Sequence, residues 1–111
     1  MVLNNCVKIY LPLQYLKDGV LRAVSLNEYD NDLERLASKF GGLSTYEVNG
    51  FYNNHVYEKV FRVRTLLAEI FVDDNHLKDL ESDIIHLATE IKALFRQESV
   101  AYVINDKMYI V

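Results

Sequence analysis

Residues 73–95, DDNHLKDLESDIIHLATEIKALF, decide the fold class of this protein. Apolar side chains recur there at the three- and four-residue spacing that places them on one face of an α-helix. Asp73 and Asp74 suit the start of a helix, and Lys92 and Arg96 suit its end, because of the helix dipole. The stretch therefore predicts a long helix that packs one face against another layer. The positions of its apolar stripe are Leu77, Leu80, Ile84, Leu87, Ala88, Ile91, Leu94 and Phe95.

Two strands are predicted immediately before this helix, from Leu43 to Tyr52 and from His55 to about Glu69. Asn53-Asn54 lies between them, and asparagine tolerates the positive φ angle of a tight hairpin turn. The alternation on the second strand is typical of an antiparallel sheet with one largely apolar side and one exposed or ligand-facing side. The apolar side carries Tyr57, Phe61, Val63 and Thr65, with Lys59 among them, and the charged side carries Glu58, Val60, Arg62 and Arg64.

A second helix is predicted upstream of these strands. Ser25 and Glu28 have the spacing of a capping box, in which each side chain bonds a free amide of the first turn. Gly41-Gly42 supplies a left-handed stop at the other end. The single buried stripe of this helix contains Tyr29, Leu33, Leu36, Ala37 and Phe40.

Both ends of the chain also alternate. Cys6–Leu13 and residues 99–104 each predict a strand, and Lys107–Val111 is expected to pair back as a short C-terminal hairpin. Between the first strand and the first helix, residues 14–24 contain the turn signal Asp18-Gly19. This segment forms either a small hairpin or an excursion over the surface.

The order strand, helix, strand, strand, helix, strand predicts a ferredoxin-like βαββαβ fold of the α+β class. In this two-layer sandwich an antiparallel sheet carries both helices on one face. The chain has 111 residues, 50% hydrophobic and 25% charged, which is the size and composition of one soluble globular domain over residues 1–111.

Charge and hydropathy exclude several functional classes. The net charge of −4 argues against a nucleic-acid-binding protein. No apolar run is long enough to cross a membrane, and the opening MVLNNCVKIY lacks the pattern of a signal peptide. We therefore expect a cytoplasmic protein that contacts neither nucleic acid nor membrane.

If both helices pack on one face of the sheet, the other face is not covered by any element of the chain. We expect that open face to carry Lys8 and Tyr10 together with the charged side of the third strand. The second strand adds either Tyr46 and Val48 or Thr45 and Glu47, and the last adds either Tyr102 and Ile104 or Ala101 and Val103. Such a mixed surface binds a ligand or a second subunit, and on the analogy of other ferredoxin-like domains we expect a homo-oligomer.

Four short segments resemble a set of small bacterial and phage proteins of unknown function: FGGLS at Phe40–Ser44, NGF at Asn49–Phe51, Tyr57-Glu58, and FRQESV at Phe95–Val100. The pattern of that set is a GGLT-like turn, a glycine followed by tryptophan, a glutamate, and a late phenylalanine-x-glutamine-glutamate-serine/alanine-valine. This chain has Ser44 for the threonine and Phe51 for the tryptophan. The resemblance spans residues 33 to 104 and implies the ferredoxin-like fold, without an activity.

The preferred ligand site consists of Glu58, Arg62 and Arg64, with Tyr10, Tyr46 and Tyr102 as neighbours. Arginine holds phosphate or carboxylate groups in a bidentate geometry, and tyrosine offers a flat apolar ring and a hydroxyl group. Together these residues predict a site for a small anionic, nucleotide-like ligand. The alternative is that Glu58 pairs with an arginine across a dimer interface or faces solvent.

No catalytic, metal or cofactor site is predicted. His55, His76 and His86 do not have the spacing of metal ligands, and Cys6, the only cysteine, is interpreted as a small buried apolar residue. Asp73-Asp74 is interpreted as helix capping.

The functional expectation is therefore a non-enzymatic binding protein. It acts as a homo-oligomer that binds or sequesters a small anionic ligand or a protein partner such as a host protein. The resemblance to phage proteins permits a role in phage or mobile-element anti-defence. The alternative is a cofactor-independent enzyme of the dimeric ferredoxin-like barrel type, with a polar residue in an enclosed pocket.

Overall fold

Residues 1–111 are described by a computed structural model, in which the chain forms a small α+β fold with an antiparallel sheet and two α-helices. A 3₁₀ turn, Leu26–Tyr29, leads into the first helix. Strands and helices follow one another in the order β1 (Asn5–Pro12), β2 (Gln14–Lys17), β3 (Val20–Ala23), α1 (Asp30–Phe40), β4 (Ser44–Asn54), β5 (Lys59–Val72), α2 (Asp74–Leu94), β6 (Ala101–Ile104) and β7 (Lys107–Ile110).

The main sheet has five strands in the order β4-β5-β1-β6-β7, and every neighbouring pair is antiparallel. The pairing of β6 with β7 confirms the predicted C-terminal hairpin. Strands β2 and β3 form a separate hairpin, so residues 14–24 adopt the first of the two predicted arrangements. Its turn contains Asp18 and Gly19 at φ angles of 55° and 76°, which a glycine accommodates without a steric penalty.

The hydrophobic core lies between the helices and one face of this sheet. Val7, Ile9 and Leu11 of β1 are fully buried, as are Leu80 and Ile84 of α2. The alternation of β1 and the helical stripe of α2 bring these apolar side chains together, and their burial is the main stabilising contribution.

The helix ends follow local hydrogen-bonding rules. Asp73 precedes α2, and its Oδ1 accepts the N–H of His76 at 3.0 Å. Gly41 ends α1 at a φ of 95°, which confirms the predicted stop. The predicted capping box at Ser25 is displaced: the Oγ of Ser25 accepts the N–H of Asn27 at 3.3 Å and caps the 3₁₀ turn, so α1 begins later than expected.

The β4–β5 hairpin is longer than predicted. Its turn occupies residues 55–58 and not Asn53-Asn54, because the Oδ1 of Asn54 accepts the N–H groups of Val56 and Tyr57. Strand β1 ends opposite Thr65, so the hairpin continues as a two-stranded projection beyond the rest of the sheet. We call this part, residues 48–54 and 59–65, the ribbon.

Neither helix is long and apolar enough to cross a membrane.

Candidate functional site

The sheet face turned away from the helices is defined by strand register. Directly paired residues of neighbouring strands project to the same side. Tyr10 pairs with Leu67, which in turn pairs with Tyr46, and Lys8 pairs with Glu69 and with Val103. We call this side the open face. Its strand residues are Cys6, Lys8, Tyr10, Pro12, Ser44, Tyr46, Val48, Gly50, Tyr52, Asn54, Lys59, Phe61, Val63, Thr65, Leu67, Glu69, Phe71, Ala101, Val103, Met108 and Ile110.

The prediction that Arg62 and Arg64 lie on the open face is wrong. Leu66, Ala68 and Ile70 of the same strand are buried against the helices, and the alternation places the two arginines on that side of the sheet. They remain exposed because they lie in the ribbon, which the helices do not cover. Arg62 lies over the ring of Phe51, with 5.9 Å between the guanidinium carbon and the ring centroid.

The other predicted site residues are divided between the two faces. Tyr10 and Tyr46 lie on the open face, and Glu58 lies in the hairpin turn at a φ of 50°. Tyr102 is buried on the helix side, and its hydroxyl donates to Oε2 of Glu81 at 3.2 Å. Burial and this hydrogen bond raise the pKa of Tyr102. The six residues therefore do not form one cluster, and their role in binding a ligand stays a prediction.

A cavity of about 600 Å³ occupies the end of the open face next to the ribbon. Its floor is formed by residues of β1 and β5, and its walls come from the β2–β3 hairpin, the tip of the ribbon, the segment after α2 and strand β7. The volume is within the range of small-molecule sites in proteins. Among the lining residues are Tyr10, Gln14, Leu16, Tyr52, His55, Phe61, Thr65, Arg96, Glu98 and Ile110.

Aromatic rings line much of this cavity. Tyr10, Tyr52 and Phe61 offer flat apolar surfaces and ring faces that attract cations. A Cβ atom on Gly50 would lie 2.6 Å from the ring of Tyr52, so the glycine permits that ring to lie back across the strand. The cavity can therefore hold a flat, partly apolar ligand.

A polar cluster lies on the open face outside the lining of this cavity, and its Glu69 lines a second cavity with Phe40 and Phe71. The hydroxyl of Tyr46 donates to Oε1 of Glu69 at 3.4 Å, and Nζ of Lys8 lies 3.9 Å from Oε2 of Glu69. The side chain of Glu69 is 19% exposed. Burial and, to a smaller degree, the charge of Glu69 raise the pKa of the Cys6 thiol.

Glu69 is the only carboxylate among the strand residues of the open face. It lies diagonally across from Tyr10, at about 7–8 Å between Cα atoms. Sequence reasoning placed Glu69 at the end of a strand and gave it no role. Its sequence signal is an isolated acid within the apolar run LLAEIFV, residues 66–72.

The histidines are separated in the structure. His55 lines the cavity, while Nδ1 of His76 lies 2.6 Å from Oδ1 of Asp73 and Nε2 of His86 lies 2.9 Å from Oε1 of Glu90 on α2. No group of three or more histidine, cysteine, aspartate or glutamate side chains has the geometry of a metal site.

Comparison with known proteins identifies the fold. No protein-family model matches the chain, and no curated protein matches it. A phage SAM lyase in complex with S-methyl-5'-thioadenosine is similar in structure, with 16% sequence identity, a TM-score of 0.73, and coverage of 96% of this chain and 88% of that chain. A phage SAM lyase in the apo state is 18% identical, with a TM-score of 0.67 and coverage of 96% and 87%. The chain therefore has a fold close to that of phage SAM lyases.

These matches contradict the expectation that the chain is not an enzyme, because the proteins that share its fold are lyases. That expectation relied on the absence of an acid, base and nucleophile set in the sequence. A lyase breaks a bond without transferring a group to a protein nucleophile, so the lack of a nucleophile was not evidence against catalysis. The resemblance to small bacterial and phage proteins, in contrast, stays a prediction.

Proposed function

We propose that the chain is a lyase that acts on S-adenosylmethionine and releases S-methyl-5'-thioadenosine. The observation that carries the proposal is the similarity of fold over 96% of the chain to a phage lyase that binds this thioether. An enzyme that removes S-adenosylmethionine deprives host methyltransferases of their methyl donor. We therefore also propose a role in phage anti-defence.

The chemistry of the cavity supports this ligand class. S-adenosylmethionine combines a flat adenine ring with a positively charged sulfonium. The rings of Tyr52 and Phe61 suit the base, and the ring face of Tyr10 suits the cation. The carboxylate of Glu69 lies outside the cavity lining but diagonal to Tyr10, so it adds a negative charge on the side of Tyr10.

The reaction breaks the bond between the sulfonium and the amino-acid side chain. The electron pair of that bond goes to sulfur, which leaves as a neutral thioether and needs no proton. The amino-acid part loses one proton, and in an elimination the electron pair of that C–H bond forms a double bond. We propose that Glu69, which lies on the open face beyond the cavity lining, accepts this proton from a ligand that extends past Tyr10. Tyr46 and Lys8 lie beside its carboxylate oxygens.

The activity is tested by incubating the purified protein with S-adenosylmethionine and measuring S-methyl-5'-thioadenosine by liquid chromatography. We expect Glu69→Gln to lower kcat by about 100-fold or more, as removal of a catalytic acid or base does. Glu34→Gln, on the exposed side of α1, removes the same charge far from the cavity and should retain full activity.

Two outcomes of this assay would contradict the proposal in different ways. A wild-type protein that releases no thioether rules out the lyase activity. A Glu69→Gln variant as active as the wild type retains the activity and rules out the role of Glu69.

We propose further that the fold is a ferredoxin-like variant. Without the β2–β3 hairpin and β7, the sheet order β4-β5-β1-β6 corresponds to the second, third, first and fourth strands of a βαββαβ chain. This order supports the topology expected from the sequence.

Homo-oligomerisation is also proposed. The open face exposes Tyr46, Phe71 and Ile110 by 48%, 47% and 63% of their surfaces, which is more apolar exposure than an isolated sheet face usually retains. Light scattering tests the oligomeric state, and a monomeric mass at micromolar concentration would contradict the proposal.

A further inference from the structure

The segment that follows α2 has an unusual backbone. Arg96 adopts a φ of 50°, a left-handed conformation at the helix end where glycine is favoured. The N–H of Phe95 donates to the carbonyl of Ile91, and the N–H of Gln97 donates to that of Lys92. These hydrogen bonds fix Arg96 at this position, where a residue with a Cβ atom is strained.

The same segment brings charge to the cavity. Arg96 and Glu98 both line it, and apart from His55 they are its only lining residues with a carboxylate or a basic side chain. Both are exposed, and neither side chain forms an ion pair or a hydrogen bond within the chain. One free cation and one free anion thus lie two residues apart at the edge of an aromatic cavity.

We propose that this segment, Arg96–Glu98, is the subsite for the α-amino-acid group of the ligand. The guanidinium of Arg96 matches the carboxylate of that group, and the carboxylate of Glu98 matches its ammonium. The inference rests on the proposed lyase function and deepens it by naming what selects the substrate. S-adenosylmethionine carries this zwitterion and S-methyl-5'-thioadenosine lacks it, so the subsite holds the substrate and not the thioether product.

The dimensions of the cavity agree with this assignment. Tyr52 lies on β4, and the segment leads into β6, three strand positions away in the sheet. Three interstrand spacings amount to about 14 Å, which accommodates an adenosine with an amino-acid side chain on its sulfur. With the base at Tyr52 and the zwitterion at Arg96, the sulfur lies over β1, where Tyr10 is located.

Calorimetric titration with two uncleaved probes tests the subsite. S-adenosylhomocysteine carries the amino-acid group, and S-methyl-5'-thioadenosine does not. We expect the wild type to bind the first probe more tightly. We expect Arg96→Gly to weaken binding of that probe by about 10- to 100-fold, the loss typical of a charged hydrogen-bonded pair, and to leave binding of the second probe unchanged.

The same variant separates binding from stability. Glycine relieves the left-handed backbone, so Arg96→Gly should raise the Tm while it weakens binding. Asp18→Gly is the matched control, since Asp18 has a φ of 55° and does not line the cavity. It should raise the Tm and leave the affinity for both probes unchanged. Glu98→Gln should weaken binding of S-adenosylhomocysteine alone.

Each remaining outcome decides a different point. The subsite assignment is overturned if Arg96→Gly weakens the binding of both probes equally or of neither probe. It is also overturned if the wild type does not bind S-adenosylhomocysteine. If the wild type binds this probe through Arg96 but releases no thioether from S-adenosylmethionine, the subsite is retained and the lyase activity is overturned.

Discussion

The two halves of β5 bury opposite sides of the strand although they belong to one continuous strand. In residues 66–72, Leu66, Ala68 and Ile70 face the helices and are buried. In residues 59–65, which belong to the ribbon, the residues on that same side are charged or exposed. There the apolar side chains of Phe61 and Val63 lie on the open face and line the cavity.

This difference shows that burial depends on what covers a strand and not on the strand itself. The helices extend only over the half that pairs with β1, which ends opposite Thr65. Beyond that point Tyr52 and Phe61 lie on the open face and line the cavity. One strand thus contributes a buried half to the core and a half that lines the cavity.

The largest expected effect on stability concerns residues 66–72 of β5, the half that the helices cover. Ile70→Ala removes a side chain that is 1% exposed and should lower the free energy of unfolding by about 2–5 kcal/mol. Val63→Ala, in the ribbon, should lower it by about 1 kcal/mol or less, because that side chain is only half-buried. Urea denaturation measures both values. Equal losses would mean that the ribbon is as much part of the core as the covered half.

The second prediction concerns the boundary between the two halves. The buried hydroxyl of Tyr29 donates to the carbonyl of Pro12, the last residue of β1. Tyr29→Phe retains the ring and leaves that carbonyl without its partner, so the free energy of unfolding should fall by about 1–3 kcal/mol. Tyr57→Phe, at the exposed tip of the hairpin, is the control and should change it by less than about 0.5 kcal/mol. A Tyr29→Phe variant as stable as the wild type would show that this bond does not stabilise the boundary.

A smaller effect is expected on the helix side of the ribbon. Nη2 of Arg64 lies 2.7 Å from Oε1 of Glu47, and both side chains are more than half exposed. Solvent screening limits such a pair to about 0.2–1 kcal/mol, which a double-mutant cycle of Arg64→Ala and Glu47→Ala measures. The coupling should decrease at high salt. A larger, salt-independent coupling would indicate that this surface is covered in solution.

The smallest effect concerns the Cys6 thiol, on the open face of the covered half. Burial and Glu69 raise its pKa above the ordinary value of 9.0, so its alkylation rate should rise with pH at a midpoint above that value. Since the folded protein holds this proton more tightly than the unfolded chain, the resulting stabilisation is present below pH 9 and is lost as the pH rises through the folded pKa. Glu69→Gln should move the midpoint down. A wild-type midpoint at or below 9.0 would contradict the assigned environment.

Much of the secondary structure was predictable because it depends on local periodicity. The apolar stripe of α2 places the helix correctly to within a residue or two, and Gly41 marks the end of α1. The hairpin turn was misplaced because Asn54 acts through its side chain on residues that follow it. Turn geometry of this kind depends on hydrogen bonds that residue preferences alone do not specify.

The candidate site was less predictable than the fold. Tyr10 was correctly expected on the open face, and the structure selects Tyr46 from the two alternatives left open for its strand. Arg62 and Arg64 were expected on the wrong face, because alternation divides a strand into two sets without saying which set meets the helices. Glu69 was missed for a related reason. It is the one carboxylate among the strand residues of the open face, and that face exists only after β4, β5 and β1 have paired.

The sequence by itself determined the α+β class, the two helices and the antiparallel strands, since helical and strand periodicities are properties of neighbouring residues. The tertiary structure decided which side of β5 is covered and where the ribbon begins. It also brought Tyr10, Tyr52 and Arg96, from three distant parts of the chain, around one cavity. The physical reason is that strand register and helix placement are set by contacts between segments far apart in sequence, where the burial of apolar surface is decided collectively.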